Sequence, residues 1–307
     1  MSEIASVSLA RPLDEIADRL GQSFAEYGFA VVRDHTIPQD LIDRADAMAR
    51  RFFALPEADK RAYAIEGGGG ARGYTPFGTE IAKDAEVHDL KEFWHVGRTL
   101  PEGHALSGFM QPNVWPDEVS GFRETFEELY AAFEDTGSLV LSAIALHLGL
   151  DKDWFDNTVE DGNSVMRLLH YPPLPPDAKE GAIRAAAHGD INTITLLLGA
   201  EEAGLELLNR QGEWMPVAPP PGALAVNVGD MLDRLTNGRL RSTTHRVVNP
   251  VGEAAQRSRY SMPFFLHFRP DYLIEPLPQC VAEGETAQPP ILAHDYLLQR
   301  LREIGLA

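Results

Sequence analysis

The second half of the chain alternates short apolar runs with turn-forming clusters, and this alternation constrains the fold more than any other feature. Strand-like runs occupy residues 165–171, 194–198, 205–208, 215–217, 223–228, 245–248 and 258–268. Clusters rich in proline, glycine and asparagine separate them, such as Pro219-Pro-Pro-Gly222 and Asn249-Pro-Val-Gly252. Many short strands joined by such turns predict a β-sandwich or a jelly roll.

The first half has a different, helical pattern. Apolar residues recur at helical spacing over residues 13–26, from Pro38 to about Leu55, and over about 121–148, while residues 29–33 have the pattern of a short strand. The polar stretch 1–20 also has helical spacing, and the four glycines at 67–70 predict a flexible loop.

These two patterns together predict a mainly β protein with helices. We expect residues 1–150 to form an N-terminal helical region with short strands, packed on a β core formed by residues 151–307. A last helix, over about 293–304, closes the chain. At 307 residues, the two parts are consistent with one structural unit.

Charge and composition exclude some partners. The formal net charge is −19, which disfavours binding to nucleic acid and to anionic membranes. The chain has no run of about 18 apolar residues and no signal-peptide pattern, and its single cysteine, Cys280, rules out an internal disulfide. We therefore expect a cytoplasmic enzyme that acts on a small molecule. The sequence gives no indication of the oligomeric state.

A metal-ligand pattern begins at His188-Gly189-Asp190, at the start of a predicted strand. Residues two apart on a strand point to the same face, so His188 and Asp190 are expected to share one interior point. His245, which lies 57 residues later, supplies a third donor. Two imidazoles and one carboxylate leave open positions on a metal, as in non-haem Fe(II) oxygenases. A zinc hydrolase or a metal-dependent binding protein with a jelly-roll fold would use the same residue types.

A second pattern lies in the strand at 258–268. Alternation predicts that Tyr260 and Phe264 belong to an apolar face covered by the N-terminal helices, which leaves Arg259 and Ser261 pointing into the β core. A buried arginine is costly unless it is paired. A carboxylate ligand suits a guanidinium beside a hydroxyl, and an internal salt bridge is the alternative. Similarly, Arg167 either reaches an acidic substrate or caps its strand in water.

Motifs in both halves support a family resemblance. They are Tyr27-Gly-Phe-Ala-Val-Val32, His35-Thr-Ile-Pro38, Phe52-Phe-Ala-Leu-Pro56, Arg72-Gly-Tyr-Thr-Pro76, Lys91-Glu-Phe93, Asn227-Val-Gly-Asp-Met231, Thr236-Asn-Gly238 and Ser242-Thr-Thr-His-Arg-Val-Val-Asn-Pro250. With His188-x-Asp190, His245 and Arg259-x-Ser261, they cover nearly the whole chain. This combination resembles the isopenicillin N synthase-like branch of the Fe(II)/2-oxoglutarate-dependent dioxygenases.

The resemblance implies a double-stranded β-helix (jelly-roll) core, Fe(II), 2-oxoglutarate and O2. It also implies residue roles: iron ligands at His188, Asp190 and His245, and 2-oxoglutarate contacts at Arg259, Ser261 and Tyr171. The implied reaction oxidises a small organic molecule, by default through hydroxylation, and releases succinate and CO2. Alternatives are an Fe(II) oxidase that uses no 2-oxoglutarate and a non-catalytic metal-binding jelly roll.

One position departs from the family pattern. Leu169 stands where many plant members carry an asparagine that contacts the co-substrate. The resemblance therefore does not carry over to the contacts of the metal-proximal carboxylate in this chain.

Overall fold

The structure is a computed structural model that describes residues 4–65, 71–80, 87–175, 181–199 and 203–303. The glycines at 67–70 and Ile304, at the expected end of the last helix, lie outside these residues.

The first part of the chain contributes four strands and four helices to the described residues. They are β1 (Ser6–Ser8), α1 (Leu13–Tyr27), β2 (Phe29–Arg33), α2 (Gln39–Phe53), α3 (Glu57–Arg61), β3 (Gly73–Thr75), β4 (Glu92–Gly97) and α4 (Phe122–His147). The second part contributes the ten remaining strands of the described residues. Its elements are α5 (Asp156–Val159), β5 (Val165–Tyr171), β6 (Ala185–His188), β7 (Ile194–Leu198), β8 (Leu205–Leu208), β9 (Trp214–Pro216), β10 (Leu224–Val228), α6 (Asp230–Leu235), β11 (His245–Val247), β12 (Arg259–Leu266), β13 (Leu273–Ile274), β14 (Ile291–Leu292) and α7 (Ala293–Glu303).

Two sheets form the centre of the fold. The larger has eight strands in the order β1-β2-β10-β7-β12-β5-β4-β3, and the smaller has four in the order β6-β11-β8-β9. Apolar residues from both sheets, including Phe29 and Ala225 of the larger and Leu207 and Val247 of the smaller, form one buried cluster between them. This arrangement is a jelly-roll core with helices packed against it, which confirms the predicted fold class. Because β1–β4 belong to the larger sheet, both parts of the chain build the same core; the boundary at residue 150 stays a prediction.

Alternation along β12 separates the two faces of the larger sheet. Phe264 is fully buried on the outer face and stacks on Phe133 of α4, with ring centres 5.2 Å apart. Tyr260, on the same face, lies 6.3 Å from the ring of Phe53 in α2. The N-terminal helices therefore cover the apolar face as expected, and Arg259 and Ser261 are buried on the opposite face.

The helix α4 is the one described helix that is long and apolar enough to cross a membrane. Its most apolar 18-residue window has a mean hydropathy of 1.3, and 56% of that window is buried inside the protein. Packing against α1, α2 and the larger sheet accounts for this composition, because a core helix needs the same apolar residues.

Two local predictions were wrong. Residues 6–8, expected to be part of a helical stretch, form β1 and pair in parallel with β2. His188 was expected to begin a strand, but it is the last residue of β6, and Asp190 lies in the loop that follows. The backbone carbonyl of Asp190 accepts a hydrogen bond from the amide of Asp230 at 2.7 Å, which draws this loop towards the start of α6.

Candidate metal centre

Three side chains converge where the end of β6 meets β11. The ligand atoms of His188, Asp190 and His245 all lie within 4.8 Å of one another. The Nε2 atoms of the two histidines are 3.9 and 3.8 Å from Asp190 Oδ1. The strand register explains part of this geometry, because His245 pairs directly with His188 across β6 and β11. The structure thus brings the three predicted residues together, with His245 on a different strand as expected, although His188 and Asp190 do not share one strand.

Both histidines are oriented by their own backbone. His188 Nδ1 lies 2.7 Å from the carbonyl oxygen of Ala186, and His245 Nδ1 lies 3.1 Å from that of Thr243. An Nδ1–H that donates to a carbonyl leaves the Nε2 lone pair free for a metal. Burial lowers the pKa of His188 to about 4, and the nearby His245 adds to this effect. At neutral pH His188 is therefore uncharged, as a metal ligand must be.

The two carboxylate oxygens of Asp190 have different partners. Its Oδ2 atom accepts hydrogen bonds from Thr195 Oγ1 at 2.6 Å and from Asn227 Nδ2 at 2.8 Å, while Oδ1 faces the histidines. Burial alone would raise the pKa of Asp190, but the two histidines and these donors outweigh burial and lower it. Thr195 and Asn227 are cross-strand partners on β7 and β10.

Sequence reasoning missed Thr195 and Asn227 as supporting residues. The available signal was the need of a buried carboxylate for hydrogen-bond donors. This requirement does not identify the strands that supply the donors, because Thr195 and Asn227 lie 5 and 37 residues from Asp190 along the chain.

Arg259 is a buried cation on the inner face of β12. Its side chain is 1% exposed, and its Nε and Nη2 atoms have no hydrogen-bond partner among the described residues. No described acidic side chain forms a salt bridge with it, so the described residues give no support to the alternative of an internal ion pair. Ser261, 2% exposed, lies on the same strand face. A buried guanidinium with two free donors beside a hydroxyl fits a carboxylate.

The neighbours of Arg259 restrict how such an anion would lie. Tyr171 pairs with Arg259 across β5 and β12, and its ring centre is 5.2 Å from the guanidinium carbon. Leu169 packs with Phe93 and Tyr171 in a small apolar cluster. At Leu169, where many plant family members have an asparagine, the chain therefore has an apolar side chain and no amide.

Arg184 is a further buried cation that sequence reasoning did not select. Its side chain is 1% exposed, and its guanidinium carbon lies 5.7 Å from the ring centre of Tyr171. The ring of Tyr171 therefore lies within 6 Å of two buried guanidinium groups, that of Arg184 and that of Arg259.

Arg167 fits neither of its sequence interpretations. Its Nε donates to His95 Nε2 at 2.6 Å, its Nη1 lies 3.3 Å from Glu80, and its guanidinium stacks 4.2 Å from the ring centre of Phe93. Glu80 also pairs with Lys91 at 2.5 Å. Burial would raise the pKa of Glu80, but the charges of Arg167 and Lys91 outweigh it and hold that pKa well below its ordinary value. Arg167 thus belongs to a buried ion network within the protein.

Comparison with known proteins identifies the family. Residues 4–118 match the family described as the non-haem dioxygenase in morphine synthesis N-terminal region, and residues 162–268 match the 2OG-Fe(II) oxygenase superfamily. A 2-oxoglutarate-Fe(II) type oxidoreductase of Emericella nidulans, hxnY, is 36% identical over 92% of this chain and 83% of its own length.

Solved structures agree with this result. A Caulobacter crescentus protein assigned to the 2OG-Fe(II) oxygenase family is 53% identical, with a TM-score of 0.92, over 99% of this chain and 100% of that one. A full-length Neurospora crassa protein, solved in complex with alpha-KG and thymine, is 28% identical, with a TM-score of 0.86, over 97% of this chain and 96% of that one. The chain belongs to the 2OG-Fe(II) oxygenase superfamily. It is an Fe(II)- and 2-oxoglutarate-dependent dioxygenase that oxidises a small organic molecule.

Proposed function

We propose that His188, Asp190 and His245 hold the catalytic iron and that Arg259 and Ser261 bind the distal carboxylate of 2-oxoglutarate. The observation that carries this assignment is the buried Arg259, with two donor atoms that no described residue satisfies, beside three converging ligand atoms. A buried cation of this kind requires an anion. The motif set further supports placement in the isopenicillin N synthase-like branch.

The residues have separate tasks in this proposal. Tyr171 packs against the guanidinium of Arg259 and limits where the co-substrate lies, while Thr195 and Asn227 keep Asp190 Oδ1 directed at the metal. An iron held by His188, Asp190 and His245 would supply, with 2-oxoglutarate and O2, the oxidising power for cleavage of a substrate C–H bond, with release of succinate and CO2. The protein contributes orientation and exclusion of water. We infer hydroxylation as the default outcome.

The substrate is proposed to be a small organic molecule. Support comes from the relatives, since the Neurospora protein was solved with thymine and, in another structure, with 5-formyluracil. A net charge of −19 supports the absence of nucleic-acid and membrane partners. We also propose a cytoplasmic location, on the basis of the single cysteine.

Oxygen consumption with succinate release tests the reaction. Protein prepared without metal is reconstituted with Fe(II) and assayed in a gas-tight cell with 2-oxoglutarate and a broad metabolite panel. We expect O2 uptake and succinate in equal amounts, both lost in Asp190→Ala. O2 uptake with no requirement for 2-oxoglutarate would instead indicate an Fe(II) oxidase, and the absence of both signals across the panel would contradict the proposal.

A further inference from the structure

A small recess lies where β12 ends, beyond the proposed iron site. Arg259, Ser261 and Phe265 alternate on the inner face of β12, and His267 continues this alternation by one step. The register of β5 and β12 pairs Phe265 with Val165. Continued by two residues, it sets His267 opposite Asn163, and both side chains line the recess. Phe265 also pairs with Thr195, which hydrogen-bonds to Asp190, so His267 lies two residues further along β12 than this pair.

Three polar side chains in this recess have unused hydrogen-bonding capacity. His267 is 7% exposed, and no described residue hydrogen-bonds to its imidazole. Asn163 Oδ1 and His294 Nδ1 are buried and likewise have no partner among the described residues. Buried polar atoms are normally satisfied, by protein, by water or by a ligand. Two buried atoms without partners, beside an imidazole to which no described residue hydrogen-bonds, therefore indicate that something polar occupies the recess.

The lining also specifies the charge of the occupant. The other described lining residues, including Met231 and Leu297, are apolar, and none of the described lining residues is acidic or basic apart from the two histidines. Burial lowers the pKa of His267 to about 4, so its imidazole is neutral at pH 7 and offers one donor and one acceptor. A carboxylate or an ammonium group would lose its hydration here without a counter-charge.

The dimensions of the recess indicate that it receives part of a molecule. The recess has a volume of about 10 Å³. That is room for one small polar group and not for a whole substrate. The rest of the molecule would extend along the inner face of β12 towards Phe265 and the metal.

The C-terminal helix closes the other side of the recess. Ala293, His294 and Leu297 of α7 line it, and Arg300 of the same helix pairs with Asp230 at 3.2 Å. Asp230 is also the residue whose amide donates to the carbonyl of Asp190. The position of α7, and with it that of His294, is therefore coupled to the loop that carries the proposed iron ligand.

We propose that the recess formed by Asn163, His267 and His294 is a substrate-recognition subsite that takes one neutral hydrogen-bonding group, a carbonyl oxygen or an N–H, of a lactam, a carboxamide or an N-heterocycle. This inference rests on the proposed function, because it assigns the substrate class for the same iron site. His267 is a specificity-determining residue in this account, and Asn163 and His294 complete its hydrogen bonding.

Ligand binding tests the subsite independently of turnover. Protein loaded with Fe(II) and 2-oxoglutarate under anaerobic conditions is screened by thermal shift and calorimetry against a metabolite library. The library includes thymine, 1,3-dimethylthymine and 4-methylbenzoate as a matched set. We expect the best binders to be neutral compounds with an adjacent donor and acceptor, and we expect blocking of those groups or their replacement by a carboxylate to weaken binding.

Variants then locate the contact. His267→Leu and Asn163→Leu should each weaken the best binder at least tenfold, whereas His267→Gln, which keeps a donor and an acceptor, should stay within about threefold of the wild type. His147→Leu, at the end of α4 and outside the recess, is the matched control. Iron and 2-oxoglutarate affinities are measured in every variant, which also shows that each variant is folded.

The possible results separate the two proposals. Failure of the wild type to bind Fe(II) and 2-oxoglutarate would contradict the proposed function itself. If both bind, the subsite is overturned when the best binders are carboxylates, when no neutral hydrogen-bonding compound in the library binds, or when such a compound binds His267→Leu and Asn163→Leu as tightly as the wild type. The last result would mean that the recess holds only water.

Discussion

Arg259 lies directly across the β5–β12 pair from Tyr171, with its guanidinium carbon 5.2 Å from the centre of the tyrosine ring. The contact fixes the guanidinium in a buried position, yet leaves Nε and Nη2 without partners among the described residues. In the proposed role, a guanidinium held in this way would lose little side-chain freedom on binding a carboxylate.

Replacement of Arg259 by leucine should weaken 2-oxoglutarate binding between about 30-fold and several thousand-fold. The reason is that truncating one partner of a buried charged pair costs about 2–5 kcal/mol. Arg259→Lys should recover part of the affinity through its charge, but not the two-point contact. Titration of 2-oxoglutarate into Fe(II)-loaded protein measures the change. Arg269→Leu, which alters an exposed ion pair with Asp271, is the control, and equal affinities in Arg259→Leu and the wild type would contradict the assignment.

Thr195→Val should lower metal affinity by about 10- to 100-fold, as removal of hydrogen bonds that support metal ligands typically does. Valine has the shape of threonine but cannot donate to Asp190 Oδ2. Thr193→Val is a matched control, because Thr193 is fully buried nearby and its hydroxyl has no partner among the described residues. Competition with a coloured chelator gives both dissociation constants, and the same loss in the two variants would show that Thr195 does not act through Asp190.

Glu80→Gln should destabilise the protein in a pH-dependent way. The ion pairs with Lys91 and Arg167 hold the pKa of Glu80 below its ordinary value of 4.5. Glu80 therefore stabilises the fold fully above pH 4.5, and this contribution is lost as the pH falls below 4.5 towards the folded pKa. At pH 7 we expect a loss of about 3 kcal/mol, because Glu80→Gln removes the carboxylate partner of Arg167 and leaves Lys91 paired with Asp89 alone.

Urea unfolding between pH 3 and pH 8 measures this effect. The difference in unfolding free energy between the wild type and Glu80→Gln should shrink as the pH falls. Glu15→Gln removes an exposed pair with Arg11, whose side chains are 57% and 69% exposed, and should change stability by less than about 1 kcal/mol. A pH-independent difference for Glu80→Gln would show that the carboxylate is not ion-paired.

Phe264→Ala should reduce the unfolding free energy by about 3–5 kcal/mol. The ring is fully buried between the larger sheet and α4, stacked on Phe133 and 5.0 Å from the ring of Tyr130. Phe77→Ala, at a ring that is 37% exposed, should have a much smaller effect. Because Phe264 faces away from Arg259, the folded variant should keep its 2-oxoglutarate affinity, and a change in that affinity would contradict the two-face description of β12.

Local pattern was sufficient to predict much of the fold. The limits of β2, β5, β7 and β8 match the expected runs, because each run carries its apolar pattern between clear turns. β1 was missed since its three residues, Ser6-Val7-Ser8, form a strand only through pairing with β2. A long-range partner of this kind leaves no local signal.

The site was partly predictable for a similar reason. His188, Asp190 and His245 form a recognisable set, and alternation correctly turned Arg259 inwards. The wrong strand assignment of Asp190 arose because the contact that draws its loop, with Asp230, lies 40 residues away. Burial of the Glu80 network and the recess at His267 likewise depend on strand register across the sheet, which spacing along the chain does not reveal.

The central claim is that one iron, held by His188, Asp190 and His245, binds 2-oxoglutarate anchored at Arg259. Anaerobic titration of 2-oxoglutarate into Fe(II)-loaded protein, followed by visible absorption, tests it most directly. We predict an iron-to-2-oxoglutarate charge-transfer band that saturates at one 2-oxoglutarate per iron, needs far more co-substrate in Arg259→Leu, and is absent in Asp190→Ala. No band in the wild type, or an unchanged band in Asp190→Ala, would contradict the account.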